Sequence, residues 1–368
     1  MFPVNIFSGL AALYIIIRAI FPMPSGWAVK IPLIIIVIAA AMKFQIIHLI
    51  GGPQFFAPKV PGFVTAVSGV LYISVYILFF LLLIRDLIYL PCFLFGARFP
   101  INGTNAVLTA IALGIGLLGF YNALKAPYVK EYKVSIPNLP EEAKGLRAAV
   151  IADIHADRIT KKKTVKKIVD LTLAAKPDLI LIPGDFADGE VEEIGKELEP
   201  LKELKAPLGV FAVPGNHEYY NGWTPWKAYL ETLNLPFLEN ENREIMKGLF
   251  VAGVPDPAAN HFDETSPNMR KALEGTEGQC VILMGHKPNF RPEAKERGVA
   301  LLVSGHTHGG MVWGLHKIVE RFNCGAVSGL YYNEDGTAVF VTNGASLWNG
   351  FPTRLGIPAE IPILVLEQ

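Results

Sequence analysis

The chain has 368 residues, of which 51% are hydrophobic and only 18% charged. This composition excludes a disordered chain and argues against a purely soluble one. Its 33 basic and 33 acidic side chains cancel, which argues against a nucleic-acid-binding surface. Residues 1–126 hold seven basic side chains and one acidic one, so we expect a membrane domain over residues 1–126, a linker over residues 127–146 and a soluble domain over residues 147–368.

Four stretches of the first domain approach the roughly 20 apolar residues that a helix needs to cross a bilayer. They cover residues 4–21, 31–50, 63–84 and 104–124. A fifth stretch, 87–95, is too short and contains Pro91, so we expect it at the membrane interface. Four spans predict a multi-pass integral membrane protein whose helices serve as an anchor. The segments on the same side as the soluble domain carry four basic residues, and the loops on the opposite side carry three. Basic residues are enriched on the cytoplasmic side of membrane proteins, so this difference favours the cytoplasm for the soluble domain.

The soluble domain alternates short apolar runs with helical patterns and ends in a β-rich tail, which predicts an α/β sandwich. Helices are expected over residues 161–175 and 191–205. Strands are expected over residues 147–152, 178–183, 208–213, 249–254, 280–284, 300–303, 325–332, 338–342 and 361–366.

Five of these strands run directly into residues that bind metals. They end at Asp153-Ile154-His155, Gly184-Asp185, Gly215-Asn216-His217, Gly285-His286 and Gly305-His306-Thr307-His308. Ligands of open α/β sheets bind beyond the carboxyl ends of the strands, so we expect these side chains to meet at one edge. Imidazoles and carboxylates without thiolates suit divalent first-row metals, and paired metals are used for displacement at phosphorus.

The ordered blocks D-x-H, GDxxD, GNHE, GH and GHxH resemble the calcineurin-like metallophosphoesterase superfamily, in its membrane-anchored branch. They stand at residues 153–155, 184–188, 215–218, 285–286 and 305–308, and the tail 343–361 resembles the end of that branch. The resemblance implies a four-layer α/β/β/α sandwich, here following an N-terminal α-helical transmembrane bundle. It also implies a hydrolase that acts on phosphoester or pyrophosphate bonds.

The resemblance implies a role for each residue of the blocks. Two divalent ions are expected, most simply Mn²⁺, with Fe²⁺ or Zn²⁺ as alternatives. The first ion would be bound by Asp153, His155 and His308, the second by Asn216, His286 and His306, with Asp185 bridging both. His217 would protonate the leaving oxygen or stabilise the transition state, and Asp188 would orient His217 or a ligand. The attacking group would be a metal-bridging hydroxide, without a covalent phospho-enzyme.

The membrane domain favours the lipid bilayer as a partner and a phosphorylated, lipid-linked molecule as the substrate. A related branch hydrolyses the pyrophosphate of a nucleotide-linked acyl sugar, and a phospholipid is a second candidate. The alternative function is a sensor or scaffold that binds a phosphate ligand without turnover. The complete ligand set and the intact His217 argue against that alternative.

Residues 311–322, here called the lip segment, read MVWGLHKIVERF and are unusually apolar for a loop. They form either an interfacial lip that admits a lipid substrate or a piece of the core. The cluster Lys161–Lys167 is expected to be a solvated helix face rather than a lipid contact. His261 and His316 are expected to be ordinary loop histidines, and the segment with Trp223 and Trp226 is expected to be a helix.

Overall fold

The computed structural model describes residues 2–51, 58–95 and 100–368. The chain divides into two compact units. The first comprises Met1–Asn122 with Asn349–Thr353, and the second comprises Ala123–Trp348 with Arg354–Gln368.

Five apolar helices form the described part of the first unit. The first of them continues into a π-helical turn, Ile16–Ile20. The helices are α1 (Phe2–Ile15), α2 (Trp27–Ala41), α3 (Lys43–Gly51), α4 (Gly62–Leu94) and α5 (Ile101–Ala123).

Two of these helices, Gly62–Pro91 and Ile101–Ala123, are long and apolar enough to cross a membrane. The predicted span 31–50 falls on α2 and α3, which are bent by 80° and count as a span only if the pair is taken together. The predicted span 4–21 falls on a shorter apolar helix. The described residues thus offer two or three candidate spans where the hydropathy pattern predicted four. The stretch 87–95 is no separate element, since α4 continues through Pro91.

Charged side chains of this unit bind one another. The Asp86 carboxylate accepts hydrogen bonds from Arg18 Nε at 2.6 Å, from Arg85 Nε at 2.8 Å and from the Tyr14 hydroxyl at 2.5 Å. Asn105 Nδ2 donates to the carbonyl oxygen of Arg18 at 3.1 Å. Such pairing lowers the free energy of charge in an apolar environment, and here it links α1 and its π-helical turn to α4 and α5.

The second unit contains two sheets flanked by helices. One sheet has the strand order β1-β11-β2-β3-β4 and the other β5-β6-β7-β8-β10-β9. The strands are β1 (Tyr128–Ser135), β2 (Arg147–Val150), β3 (Leu179–Pro183), β4 (Val210–Val213), β5 (Glu241–Met246), β6 (Leu249–Val254), β7 (Cys280–Gly285), β8 (Leu301–Ser304), β9 (Gly329–Tyr332), β10 (Ala338–Val341) and β11 (Glu360–Glu367). The helices are α6 (Lys162–Ala174), α7 (Val191–Ile194), α8 (Asn216–Tyr220), α9 (Trp223–Glu231), α10 (Met269–Ala272), α11 (Arg291–Glu296) and α12 (His316–Phe322).

Alternation along the buried strands separates three cores. In β3, Leu179 and Leu181 pack between the two sheets, where they join Ile282 of β7, whereas Ile180 packs against the helix side with Val165 of α6. A third core joins the outer face of the second sheet to α10 and α11. The order helix, sheet, sheet, helix confirms the predicted four-layer sandwich.

Two strands were not predicted. The expected linker 127–146 contains β1, which pairs in parallel with β11 from Tyr128 opposite Glu360 to Ser135 opposite Glu367. Only Val134 of this strand is fully buried, so its apolar signal is weak. The second missed strand, β5, carries mostly polar residues.

The expected helix 191–205 is only one α-helical turn, α7, followed by a 3₁₀ helix over Gly195–Glu203. Pro200 lies inside that segment and lacks the N–H that a continuous α-helix requires. Trp223 and Trp226 do lie in a helix, α9, and both are buried.

Candidate metal centre

The predicted ligands follow the carboxyl ends of β2, β3, β4, β7 and β8. Five of them adopt a left-handed backbone, which residues other than glycine seldom do. They are Asp153 (φ 56°), His155 (45°), Asp185 (58°), His306 (71°) and His308 (48°). Strained backbone of this kind costs of order 1 kcal/mol or more per residue and persists where the surrounding fold imposes it, as at functional sites.

The first group of converging ligands contains Asp153, His155 and His308, whose ligand atoms lie within 4.8 Å of one another. The Nε2 atoms of His155 and His308 are 3.0 Å apart, and His308 Nε2 lies 3.7 Å from Asp153 Oδ1. Asp185 Oδ2 approaches His155 Nε2 to 3.5 Å. Four side chains that follow three different strands can therefore share one cation.

The second group contains Asp185, His286 and His306, again within 4.8 Å. His286 Nδ1 donates to the carbonyl oxygen of Pro183 at 2.6 Å, so the neutral imidazole, the form that binds a metal, has its lone pair on Nε2, 3.1 Å from Asp185 Oδ2. His286 Nε2 and Asn216 Oδ1 are buried and have no hydrogen-bond partner among the described residues. A buried acceptor without a donor is costly, and a bound cation would satisfy both atoms. The donor set therefore fits a pair of metals that share Asp185.

His217 and Asp188 form the part of the cluster expected to act on substrate. Asp188 Oδ1 faces the Nδ1 atoms of both His217 and His155, the latter at 3.2 Å. His217 Nε2 lies 3.9 Å from Asp185 Oδ2. Burial on its own would raise the pKa of Asp188, but the two imidazoles lower it to about 2. Asp188 is therefore ionised at neutral pH and fixes the orientation of His217.

The electrostatics of the cluster balance acids against imidazoles. Burial would raise the pKa of Asp185, but His286 and other histidines hold it well below its usual value. Burial lowers the pKa of imidazoles, yet neighbouring carboxylates raise that of His155 to about 9 and that of His286 to about 10. Burial and adjacent cationic groups keep the pKa values of His306 and His308 well below the usual range. Without metal, protons on His155 and His286 thus provide part of the positive charge that metal ions would provide.

Two glycines let the ligand loops approach each other. A Cβ on Gly215 would lie 2.5 Å from the amide nitrogen of Asp185 and 2.9 Å from its carboxyl carbon. Gly184 has φ +87°, and a Cβ there would lie 2.6 Å from the Cα of Gly215. The buried Glu218 carboxylate joins the same loops, because it accepts the backbone N–H groups of Asp185 at 3.0 Å, Phe186 at 2.7 Å and Gly215 at 2.7 Å.

Known proteins resemble this chain over the same region. The family model described as calcineurin-like phosphoesterase matches residues 146–310. An uncharacterised metallophosphoesterase of Helicobacter pylori is 36% identical over 69% of this chain and 68% of its own length. This chain belongs to the calcineurin-like metallophosphoesterase family.

Two further metallophosphoesterases align with the chain. A putative metallophosphoesterase of Caenorhabditis elegans is 32% identical and covers 89% of this chain and 71% of its own length. A protein of Danio rerio named transmembrane protein with metallophosphoesterase domain is 30% identical over 71% of this chain and 62% of its own length. The sequence-based identification of the family is confirmed.

The metallophosphoesterase domain also places an aromatic residue at the centre that its sequence did not single out. The Trp348 ring centroid lies 6.3 Å from that of His155, 6.1 Å from that of His217 and 6.0 Å from that of His308. Trp348 is partly exposed, so it forms one wall of the site. It falls in the tail that resembles the family, but an indole has no metal-ligand chemistry to reveal it.

Arg354 holds the loop that carries this wall. Its buried guanidinium donates to the carbonyl oxygens of Asn343 and Ser346, both at 2.8 Å, and to that of Ile357 at 3.3 Å. Burial lowers the pKa of Arg354 to about 10, so the group stays charged at neutral pH. Arg354 Nη2 also lies 3.4 Å from His308 Nδ1. An arginine whose other partners are main-chain oxygens leaves no pattern in the sequence, which is why it was missed.

Proposed function

We propose that this metallophosphoesterase is a membrane-anchored phosphohydrolase that uses two divalent metals to cleave a phosphoester or pyrophosphate bond in a lipid-linked substrate. The observation that carries the proposal is the convergence of Asp185, His286 and His306, together with two buried side-chain atoms, Asn216 Oδ1 and His286 Nε2, that have no hydrogen-bond partner among the described residues. Acceptors left without donors in a family of metal-dependent enzymes are best explained as metal ligands.

We assign the ligands to the two metals as the converging groups suggest. Asp153, His155 and His308 would hold one ion, Asn216, His286 and His306 the other, and Asp185 both. Two divalent cations lower the pKa of a bound water and offset charge on phosphoryl oxygens. Mn²⁺ is our first choice, because imidazole and carboxylate ligands suit it, and Fe²⁺ and Zn²⁺ are the alternatives.

His217 is the proposed general acid. Its Nδ1 faces the ionised Asp188, so its Nε2 is the atom that would give a proton to the leaving oxygen. Trp348 would exclude water from one side of the same space and contact the leaving group.

The lipid-linked substrate is proposed on the strength of the first unit. It contains two or three candidate membrane helices, and the hydrogen bonds around Asp86 and Asn105 link two of them, α4 and α5, to α1 and its π-helical turn. A site anchored to a bilayer meets lipid-linked molecules at high effective concentration. We further propose that the helices make the protein multi-pass and that the metallophosphoesterase domain faces the cytoplasm, as the loop charges favour.

The test is hydrolysis of bis(p-nitrophenyl) phosphate by the full-length protein in detergent, with Mn²⁺, Fe²⁺ and Zn²⁺ in turn. We expect the wild type to turn over this ester. The variants His217→Ala and Asp185→Ala should lose that activity. The variants His316→Ala and Asp170→Ala, whose residues lie outside the cluster, should keep it. Metal-loaded wild-type protein that binds phosphate but cleaves neither this ester nor a panel of monoesters and pyrophosphates would favour the sensor instead.

The substrate class needs its own comparison. Lipid pyrophosphates and phosphodiesters in vesicles are compared with their water-soluble counterparts at matched phosphorus concentration. A higher kcat/KM for the lipid forms is expected, and equal values would contradict the lipid-linked assignment while leaving the phosphohydrolase intact.

A further inference from the structure

The lip segment is exposed rather than packed in the core. Trp313 is 78% exposed, Phe322 is 76% exposed and Ile318 is 55% exposed. Among the described residues of the second unit, these are the three most exposed large apolar side chains. The helix that carries two of them, α12, has no buried residue. The core alternative left open by the sequence is therefore wrong.

The exposed residues lie on one side of the segment. Leu315, Ile318 and Phe322 are three and four positions apart, which brings them onto one face of the helical turns, and Trp313 precedes them. Arg321 lies at the margin of that face, and Lys317 lies farther round the helix. An amphipathic segment with a tryptophan, aliphatic residues and flanking bases is typical of elements that lie in a membrane interface.

The lip segment is held firmly at its base. Trp313 N–H donates to the Leu355 carbonyl oxygen at 2.9 Å, and Leu355 N–H donates in return to the Met311 carbonyl oxygen at 2.9 Å. The segment starts three residues after His308, a ligand of the proposed first metal. The apolar face is thus a fixed edge next to the metal centre and not a loose loop.

The rest of the chain indicates what covers this face. Soluble monomers seldom expose large apolar side chains side by side, because removing apolar surface from water is favourable. This chain carries candidate membrane helices of its own, so a bilayer is always within reach of the second unit. The lip segment has two bases, Lys317 and Arg321, against one acid, Glu320, whose charge the 2.9 Å ion pair with Lys317 offsets. That balance suits anionic headgroups.

We propose that the lip segment is a membrane-contact site: Trp313, Ile318 and Phe322 insert into the interface of a bilayer that contains anionic lipid, while Lys317 and Arg321 contact phosphate headgroups. The contact brings the rim of the metal centre to the lipid surface. It rests on the membrane anchoring in the proposed function, but it holds whether or not the site hydrolyses a lipid.

The test uses full-length protein in nanodiscs of phosphatidylcholine and phosphatidylglycerol. The difference in fluorescence between the wild type and Trp313→Phe gives the signal of Trp313. The difference between the wild type and Trp223→Phe gives the signal of a buried tryptophan of α9, which is the matched control. Lipids with brominated acyl chains should remove most of the Trp313 signal and leave the Trp223 signal unchanged. Aqueous iodide should quench Trp313 weakly in nanodiscs.

Two results would overturn the proposal. One is a Trp313 signal that iodide quenches fully and brominated lipid does not, because the side chain would then lie in water. The other is a difference in copy number: nanodiscs prepared with the wild type hold two copies of the chain, whereas nanodiscs prepared with the variant W313S/I318S/F322S hold one. The apolar face would then join two protomers. Metal content and thermal unfolding of that variant, both expected to match the wild type, check that it folds.

Discussion

Replacing Gly215 with alanine should disable the metal centre through Asp185. The new Cβ would lie 2.5 Å from the amide nitrogen of Asp185, and ordinary contacts begin at 3.4 Å, so the Asp185 loop must move by about 0.9 Å. The φ of Gly215 is −91°, so alanine adds no backbone strain and the effect is purely steric. Functional sites tolerate displacements of about 0.5 Å, and a shift of about 1 Å can cost roughly 100-fold in rate.

The measurement is metal content by inductively coupled plasma mass spectrometry together with kcat/KM for bis(p-nitrophenyl) phosphate. Gly215→Ala should bind fewer than two metals per chain and lose about 100-fold in kcat/KM. Gly275→Ala is the control: its φ of +79° makes alanine strained there, but its Cβ meets nothing within 4 Å. If Gly215→Ala keeps two metals and its rate stays near that of the control, the steric reasoning is refuted.

Three further predictions concern single groups. Asn216→Ala should empty one metal position and spare the other, because the amide Oδ1 has no other described partner; two fully occupied positions in anomalous scattering would contradict this. Metal uptake at about pH 7 should release protons, because the pKa of His155 is about 9 and that of His286 about 10 without metal, and a ligand imidazole must be neutral. Metal affinity should therefore rise with pH up to about 10, the higher of the two pKa values. Calorimetry in buffers of different ionisation enthalpy measures the released protons, and the absence of proton release would contradict the ligand assignment. Iodoacetamide should alkylate the exposed Cys324 and spare Cys280, whose pKa burial raises to about 12; equal labelling of the two peptides in mass spectrometry would refute that difference.

The convergence of the candidate ligands could be predicted because its information is local. Each block places a ligand directly after a buried strand, and the strand register then brings Asp153, Asp185 and His306 to one edge. The glycines within the blocks were visible for the same reason. What the blocks could not give is the left-handed backbone of the ligands, which the packing of the loops imposes.

The residues that were missed depend on contacts between distant parts of the chain. Trp348 and Arg354 act through ring packing and main-chain oxygens, and neither interaction leaves a spacing pattern. The candidate membrane helices show a related limit, because hydropathy measures composition. The hydropathy pattern therefore does not predict the 80° bend that divides the span 31–50 into α2 and α3.

The pairing of β1 with β11 sets the order in which the protein can mature. Tyr128 lies opposite Glu360, so the first strand after α5 must wait for more than 230 further residues to be synthesised before its neighbour exists. Until β11 has left the ribosome, β1 is an open edge on a nascent polypeptide. A chain cut short by a premature stop codon would keep its apolar helices but leave that edge unpaired, which makes it a substrate for quality-control proteases.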